Sequence, residues 1–331
     1  MPTPEKPSLL DIPLKRWFPL NVETLLVVLL LAVAVVSRFY DLGARTMSHD
    51  EINHVIPSFS LYSGNGYKYD PMSHGPLQFH MLALSYALFG DNDFTTRIPA
   101  AVLSISALLV ALFAFRRYLG RTGALVAGAL IIISPLMLFY ARYARNESYI
   151  VLWGILTIYA ILRYLERGEA WALFLFTAVN MLHFTDKATS YIFAAEELLF
   201  LAAYFVDRVS RREWQPGRRR TFFLLGLALT VVLLAGAAGF YLSHKPVTDT
   251  PAEQVRTMII VVSILAAGGV GTLVWSGVEL VRGLGWVVIK SERVADLLVL
   301  LGTFVLPLLA AIPIMLMGYT PLDYTTTGML R

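Results

Sequence analysis

The chain has 331 residues, 57% of them hydrophobic and 15% charged, with mean hydropathy +0.64 and formal net charge +4. Soluble domains average about 45–50% apolar and about 25% charged, so this is an integral membrane protein; its arginines fall in short clusters between apolar runs, which excludes a nucleic-acid footprint. With no cysteine, disulfides, thiolate metal sites and cysteine nucleophiles are excluded too.

Residues 1–20 read as a cytoplasmic tail, with a short amphipathic stretch near residues 14–20. The first apolar run begins near Val22 and leads into Ser37-Arg38-Phe39-Tyr40 without a small-residue cleavage site, so it is a retained span rather than a signal peptide. Further runs begin near Ile98, Thr122, Ser148, Ala170, Ala188, Phe222, Met258 and Val294. Together they give about nine spans of roughly the 20-residue length a bilayer requires. The expected fold is an all-α, polytopic transmembrane helical bundle.

Residues 76–90 form a shorter apolar run opened by Gly75-Pro76, and whether it crosses decides which side every later loop faces. Short cytoplasmic loops carry the excess of Lys and Arg. With the N-terminus inside and residues 76–90 not crossing, Lys6, Lys15 and Arg16 are cytoplasmic. So are Arg116, Arg117 and Arg121; Arg163 and Arg167; the cluster from Arg208 to Arg220; and Arg282, Lys290 and Arg293. Residues 39–97 then form one long external loop containing short membrane-surface helices. The same topology gathers Asp50, Glu51, His74, Arg97, Arg142, Arg145, Asn146, Glu147, Asp186 and Lys187 on the outer side, at or near span ends. Such a grouping is what an active site assembled from several loops requires. Beyond it, residues 243–257 form another external loop, and residues 211–331 supply additional transmembrane helices. The chain closes on Thr325-Thr326-Thr327-Gly328-Met329-Leu330-Arg331 and reads as a segment of a longer protein, truncated at its C-terminus.

Several local patterns invite other chemistry. His49-Asp50-Glu51-Ile52-Asn53-His54 approaches the zinc-hydrolase pattern His-Glu-x-x-His. Its histidines are five apart, however, and five residues of helix rotate the second about 140° from the first. Glu196 and Glu197 lie within a span, where ionisable groups usually face the bundle or a cavity; one reads as neutral or paired within the bundle, the other as facing a polar crevice. Ala266-Ala267-Gly268-Gly269-Val270-Gly271 reads as small-residue helix packing. The aromatic residues Phe39, Tyr40, Tyr62, Tyr67, Tyr69, Phe139, Tyr140, Tyr143 and Tyr149 read as an interfacial belt or a sugar-stacking platform.

The order of motifs against the spans carries a family resemblance. An acidic pair, Asp50-Glu51, follows span one; then come His74-Gly75-Pro76-Leu77 and Arg97-Ile98-Pro99. Phe139-Tyr140-Ala141-Arg142-Tyr143-Ala144-Arg145-Asn146-Glu147 follows the third span, and Thr185-Asp186-Lys187 the fifth. This resembles the GT-C glycosyltransferases, in particular the protein O-mannosyltransferase and aminoarabinose-transferase branch and its flippase-activity-associated relatives. The resemblance covers residues 20–210, so residues 21–210 are expected to form the catalytic transmembrane module.

The resemblance implies an enzyme of the cytoplasmic membrane. It would take a sugar from a polyprenyl-phosphate carrier and pass it, on the extracytoplasmic side, to a protein, lipid or glycan acceptor. Asp50 maps to the family's general base, with Glu51 its neighbour, and transfer with inversion needs a carboxylate to accept the acceptor's proton. Arg97, Arg142, Arg145 and Lys187, with His74, are the candidates for binding the carrier phosphate, since fixed cations stabilise the anion that develops there; a cation at a span end can equally snorkel to the headgroups. Asp186 departs from the small or threonine residue expected beside the lysine. Glu147 maps to the family's second acidic motif, which with Asp50, and with His49 or His74, could form a Mg²⁺ or Mn²⁺ site; the mannosyltransferase-like branch works without metal. The alternative reading is non-enzymatic: a lipid-linked sugar flippase or an accessory subunit of one, acting with membrane-protein partners. A transporter should place polar groups along a path between the leaflets, whereas here most of them gather at one surface.

Overall fold

The computed structural model describes residues 13–15, 18–67, 75–187, 189–244, 251–303 and 305. Apart from two short strands ahead of the first span, its elements are helices. Over residues 14–20, the described positions lie in strands and not in an amphipathic helix. β1 (Pro13–Lys15) and β2 (Phe18–Asn21) pair antiparallel, Pro13 opposite Asn21 and Lys15 opposite Phe18. Pro13 and Pro19, which lack the N–H an α-helix needs, account for the departure.

The described residues divide into two compact units. One comprises the chain up to Leu198 together with Leu300 onward, the other Leu199–Val299. In the first unit α1 (Val22–Phe39) starts where the Asn21 side chain accepts a hydrogen bond from the Thr24 amide, at 2.8 Å. Its Val28, Leu29, Val33 and Val36 stay exposed, as a lipid-facing span requires. α2 (His49–Tyr62) starts at a full capping box, in which Ser48 and Glu51 each bond the other's backbone N–H. Ile52, Ile56 and Phe59 form its exposed apolar stripe, while Glu51, His54 and Ser58 are buried on its other side. α2 is therefore a surface helix of the loop that follows the first span.

α3 (Pro76–Phe89) has 14 residues, about 21 Å of helix against a hydrocarbon core of about 30 Å. It is buried at Gln78, Phe79, Leu82 and Tyr86, packed among other helices instead of lying bare on a surface. α4 (Asp93–Leu109) starts at a second capping box, Asn92 with Thr95, and continues through a π-helical turn at Val110–Ala114. α5 (Arg116–Ile133) and α6 (Pro135–Ala141) meet at a 65° bend, where Pro135 removes the backbone donor that would have continued the helix. α7 (Glu147–Arg167) ends at Gly168 in the left-handed conformation and pairs with α8 (Ala170–Asp186). α9 (Ser190–Ser210) begins in the first unit and ends in the second.

Among the described residues five helices, or six if the bent α5–α6 pair is one span, are long and apolar enough to cross a membrane: α1, α4 with its π turn, α7, and in the second unit α10 (Arg218–Ser243) and α11 (Ala252–Leu284). The expected runs at Ala170 and Ala188 appear as α8 and α9, and the run near Val294 is helical over residues 293–303. In the second unit, α10 and α11 approach closely through small residues. A Cβ on Gly269 would lie 2.7 Å from Leu234, and Ser276 donates to the Phe223 carbonyl at 2.7 Å, so the Gly-rich stretch is a packing seam. α12 (Trp286–Ser291) follows, and Glu292 beyond it is buried and paired with Arg208 and Arg212.

The first unit sorts its charges by end. Where α1 begins, Glu23 pairs with Arg116 at 2.8 Å and Arg121 at 2.6 Å, Arg117 with Glu166, and Arg163 with Glu169 at 2.9 Å. These are the basic clusters expected on the cytoplasmic face. Where α1 ends, the N-termini of α2, α4 and α7 and the C-terminus of α8 converge, bringing the candidate site residues together.

Candidate active site

Glu51 is the centre of that convergence and is fully buried. Its Oε1 accepts from Arg97 Nε at 2.8 Å and from the Ala144 amide at 3.1 Å; its Oε2 accepts from Arg97 Nη2 and Arg45 Nη2, both at 3.0 Å, and from the Ser48 amide at 3.1 Å. Burial would raise its pKa, but the bonds from Arg97, Ser48 and Ala144 outweigh burial and hold it below the ordinary glutamate value. Arg97, also fully buried, directs Nη1 to the carbonyls of Leu42 and Arg45, at 2.9 Å each. Both groups are thus committed within the protein, tying the first loop, α4 and the α6–α7 loop to one point. Gln78 completes the clamp by donating to the Ala144 carbonyl at 2.9 Å.

Asp50, one residue earlier, has the opposite setting. Its side chain is 51% exposed and accepts from Arg145 Nη1 at 2.7 Å. Arg145 Nη2 also reaches Glu147 Oε1 at 3.6 Å, and Lys187 Nζ meets the same oxygen at 3.0 Å. Asp50, Arg145, Glu147 and Lys187 thus form one alternating chain of charge drawn from α2, α7 and the α8 exit. Within it, Arg145 Nε and Glu147 Oε2 are buried and have no hydrogen-bond partner among the described residues. Buried polar groups in native structures are nearly always satisfied, so these two atoms have capacity for a further polar partner, water or ligand.

Arg142 lies elsewhere. Its Nη1 donates to the carbonyls of Ser37 at 2.9 Å and Tyr40 at 2.7 Å, and its Nη2 to that of Asp41 at 3.2 Å, so it caps the C-terminal end of α1. The four expected phosphate-binding cations therefore fall into two groups, Arg145 and Lys187 beside Asp50, and Arg97 and Arg142 away from it. His74 lies outside the described residues. His49 is exposed and His54 buried, as their spacing required. Burial lowers the His54 pKa, and its ring stacks on Phe79 at 5.7 Å.

Asp186 turns away from Lys187. It is fully buried and accepts from Asn146 Nδ2 at 2.7 Å, while its own carbonyl accepts from the Gly75 amide at 2.8 Å. A Cβ on Gly75 would overlap the Thr185 carbonyl, so only glycine allows this approach. A Gly75→Ala variant is expected to lose about 1–3 kcal/mol to overpacking, read as a lower thermal midpoint in detergent; an unchanged midpoint would mean that the contact relaxes freely.

Sequence reasoning did not single out Arg45. Its guanidinium lies 5.5 Å from the Phe139 ring centre and 5.0 Å from that of Tyr143, within cation–π range. No motif surrounds it; an arginine shortly before a serine N-cap was the available signal. Tyr143 also hydrogen-bonds Ser48, which gives two of the outer aromatics a structural task. Tyr149 is buried and is not part of an interfacial belt, and Tyr69 lies outside the described residues.

For a divalent metal the described donors do not fit. Among the described residues no three His, Asp or Glu groups converge, and Asp50 and Glu147 share the Arg145 cation between them.

Residues 73–237 match the family model described as dolichyl-phosphate-mannose-protein mannosyltransferase; Asp50 and Glu51 precede the matched stretch. Neither a search of curated proteins nor one of solved structures returns a match.

Proposed function

We propose, from the membership of the GT-C superfamily of membrane glycosyltransferases that residues 73–237 establish, that this mannosyltransferase-type enzyme takes its sugar from a polyprenyl-phosphate carrier and passes it to an acceptor on the extracytoplasmic side of the cytoplasmic membrane. The observation that carries the reading is the Asp50–Arg145–Glu147–Lys187 chain with its two buried, unpartnered polar atoms. It sets an exposed carboxylate beside cations at the ends of apolar helices, where the headgroup of a lipid carrier and a water-borne acceptor can meet.

Asp50 is the general base. Its carboxylate takes the proton of the acceptor hydroxyl as that oxygen bonds to the anomeric carbon, and the carbon–oxygen bond to the carrier phosphate breaks on the opposite face of the sugar. The phosphate leaves with the bonding pair, and Arg145 and Lys187 stabilise its added charge. Glu147 orients both cations. Glu51 and Arg97 are positioning residues, holding the loop on which Asp50 sits and the Ala144 turn beside Arg145.

A flippase would need polar groups from one leaflet to the other. The buried polar stripe of α8, Asn180, His183 and Asp186, with Glu197 beside Asn180, covers about 9 Å of helix, roughly a third of the hydrocarbon core. Glu196 on the same α9 is exposed. That extent favours the enzyme.

The test is sugar transfer in proteoliposomes supplied with a panel of polyprenyl-phospho-sugars, together with a Ser63→Cys variant labelled by an impermeant thiol reagent; the native chain has no cysteine and Ser63 is exposed. Donor-dependent transfer and labelling from the extracytoplasmic side are expected. Labelling only from the cytoplasmic side, or no transfer with any donor, would overturn the proposal.

A further inference from the structure

Glu196 lies on the exposed face of α9. That helix has 21 residues, about 31 Å, enough to cross a hydrocarbon core of about 30 Å. On the topology proposed above, which this depth rests on, α9 runs inward from Ser190, and Glu196 stands about 9 Å below the outer end. Glu196 is exposed there and has no hydrogen bond or ion pair among the described residues, while its neighbour Glu197 lies beside Asn180. The surface around Glu196 is apolar: Ile192, Leu199 and Phe200 are 60%, 73% and 53% exposed, and Ala195 and Ala203 are exposed as well.

A carboxylate facing hydrocarbon is costly, and acids inside membrane segments pair with a partner or face a cavity. Lys and Arg escape to the headgroups on long stems; the stem of glutamate is too short to cover that depth. The exposed positions 192, 195, 196, 199 and 203 recur at intervals of three and four, the spacing by which one helix packs along another. Small residues such as Ala195 and Ala203 let membrane helices approach closely. A packing seam that carries one acid selects a helix with the complementary cation. Residues 306–330 contain no Lys or Arg, so that stretch of the chain does not supply it. A second copy does not supply it either, because an isologous interface sets Glu196 against Glu196 and like charges repel. We infer that this face of α9 docks a transmembrane helix of another membrane protein, one that carries a lysine or arginine at the depth of Glu196.

Energy transfer between dyes in vesicles tests this. The full chain carries the donor dye at Ser63→Cys, an exposed position in a chain without native cysteine. The acceptor dye sits on the outer end of a synthetic transmembrane helix of leucine and alanine. Three such helices differ at a single residue at the depth of Glu196, which is Lys, Leu or Glu. The Lys helix is expected to associate saturably and about tenfold more tightly than the other two, the effect of one strong interhelical contact. Glu196→Gln should weaken the Lys helix about tenfold, to the level of the Leu helix. Ala195→Phe, which obstructs the seam and keeps the carboxylate, should weaken it as well, whereas Glu197→Gln should leave it unchanged. Equal binding of the Lys and Leu helices would overturn the proposal, as would undiminished binding in Glu196→Gln or Ala195→Phe at the wild-type thermal midpoint. Loss in Glu197→Gln would overturn the assignment to the exposed acid. Energy transfer between two labelled copies of the chain that Glu196→Gln abolishes would overturn the choice of partner in favour of a second copy. No sugar donor enters these measurements, and the Ser63 labelling reads the topology by itself, so a failure here is distinct from a failure of the enzymatic proposal.

Discussion

An Asp50→Asn variant should fold like the wild type and transfer sugar about 10²–10⁴-fold more slowly, the range that general-base assistance supplies. The substitution is nearly isosteric, on a side chain already 51% exposed. The Asp50–Arg145 pair it alters is of the partly exposed kind that contributes at most about 1 kcal/mol. Stability and activity should therefore separate. The measurement is initial transfer rate at saturating donor, with the thermal midpoint in the same detergent as control. Full activity at an unchanged midpoint would remove Asp50 from the role of base. A midpoint that falls together with the rate would show that the residue holds the loop instead of acting on substrate.

The neighbouring acid should fail in the opposite way. Replacing Arg97 with Met keeps most of its bulk and leaves Glu51 as a buried carboxylate without its main partner, a change that typically destabilises by about 3–5 kcal/mol. Domains are stable by only about 5–15 kcal/mol, so the variant should accumulate poorly and melt much earlier, before any activity can be compared. Adding Glu51→Leu should recover only part of the loss: the ion pair is gone, but the amides of Ser48 and Ala144, which Glu51 now accepts from, are left unsatisfied. Size exclusion after a temperature ramp distinguishes the outcomes, and a single variant with the wild-type midpoint would remove this pair from the scaffold. Acid provides an independent check. The folded-state pKa of Glu51 lies below its unfolded value, so its contribution is complete above about pH 4.3 and is lost as the pH falls through the folded value. The buried His54, also lowered, contributes in the same direction, fully above about pH 6.5. Gradual weakening below neutrality and a steeper loss below about pH 4 are expected.

Local signals in the chain were enough to find the apolar helices, though about nine spans were expected where five or six described helices are long and apolar enough to cross, and to find the packing seam at Gly269 and the group of residues that meets at one end of the first unit. Apolar run length and capping chemistry act over a few residues, as at Ser48 with Glu51 and Asn92 with Thr95. The division of labour within Asp50-Glu51 was not legible, because it depends on Arg97 and Ala144, 46 and 93 residues beyond Glu51. Arg45 was invisible for the same reason: its partners Phe139 and Tyr143 come from a turn far along the chain. Asp186, adjacent to Lys187 in sequence, pairs with Asn146 across 40 residues. Adjacency suggests a partner; burial decides which one is taken.

The convergence on Glu51 also has a time order. Its carboxylate is synthesised before either long-range donor, and at about 5–20 residues per second Ala144 follows roughly 5–19 s later. Until then the α2 segment has only its own Ser48 cap and, once Arg97 emerges, part of its final set of bonds. The first loop therefore acquires its full set of bonds only well after it is made, once the Ala144 turn ahead of α7 is present.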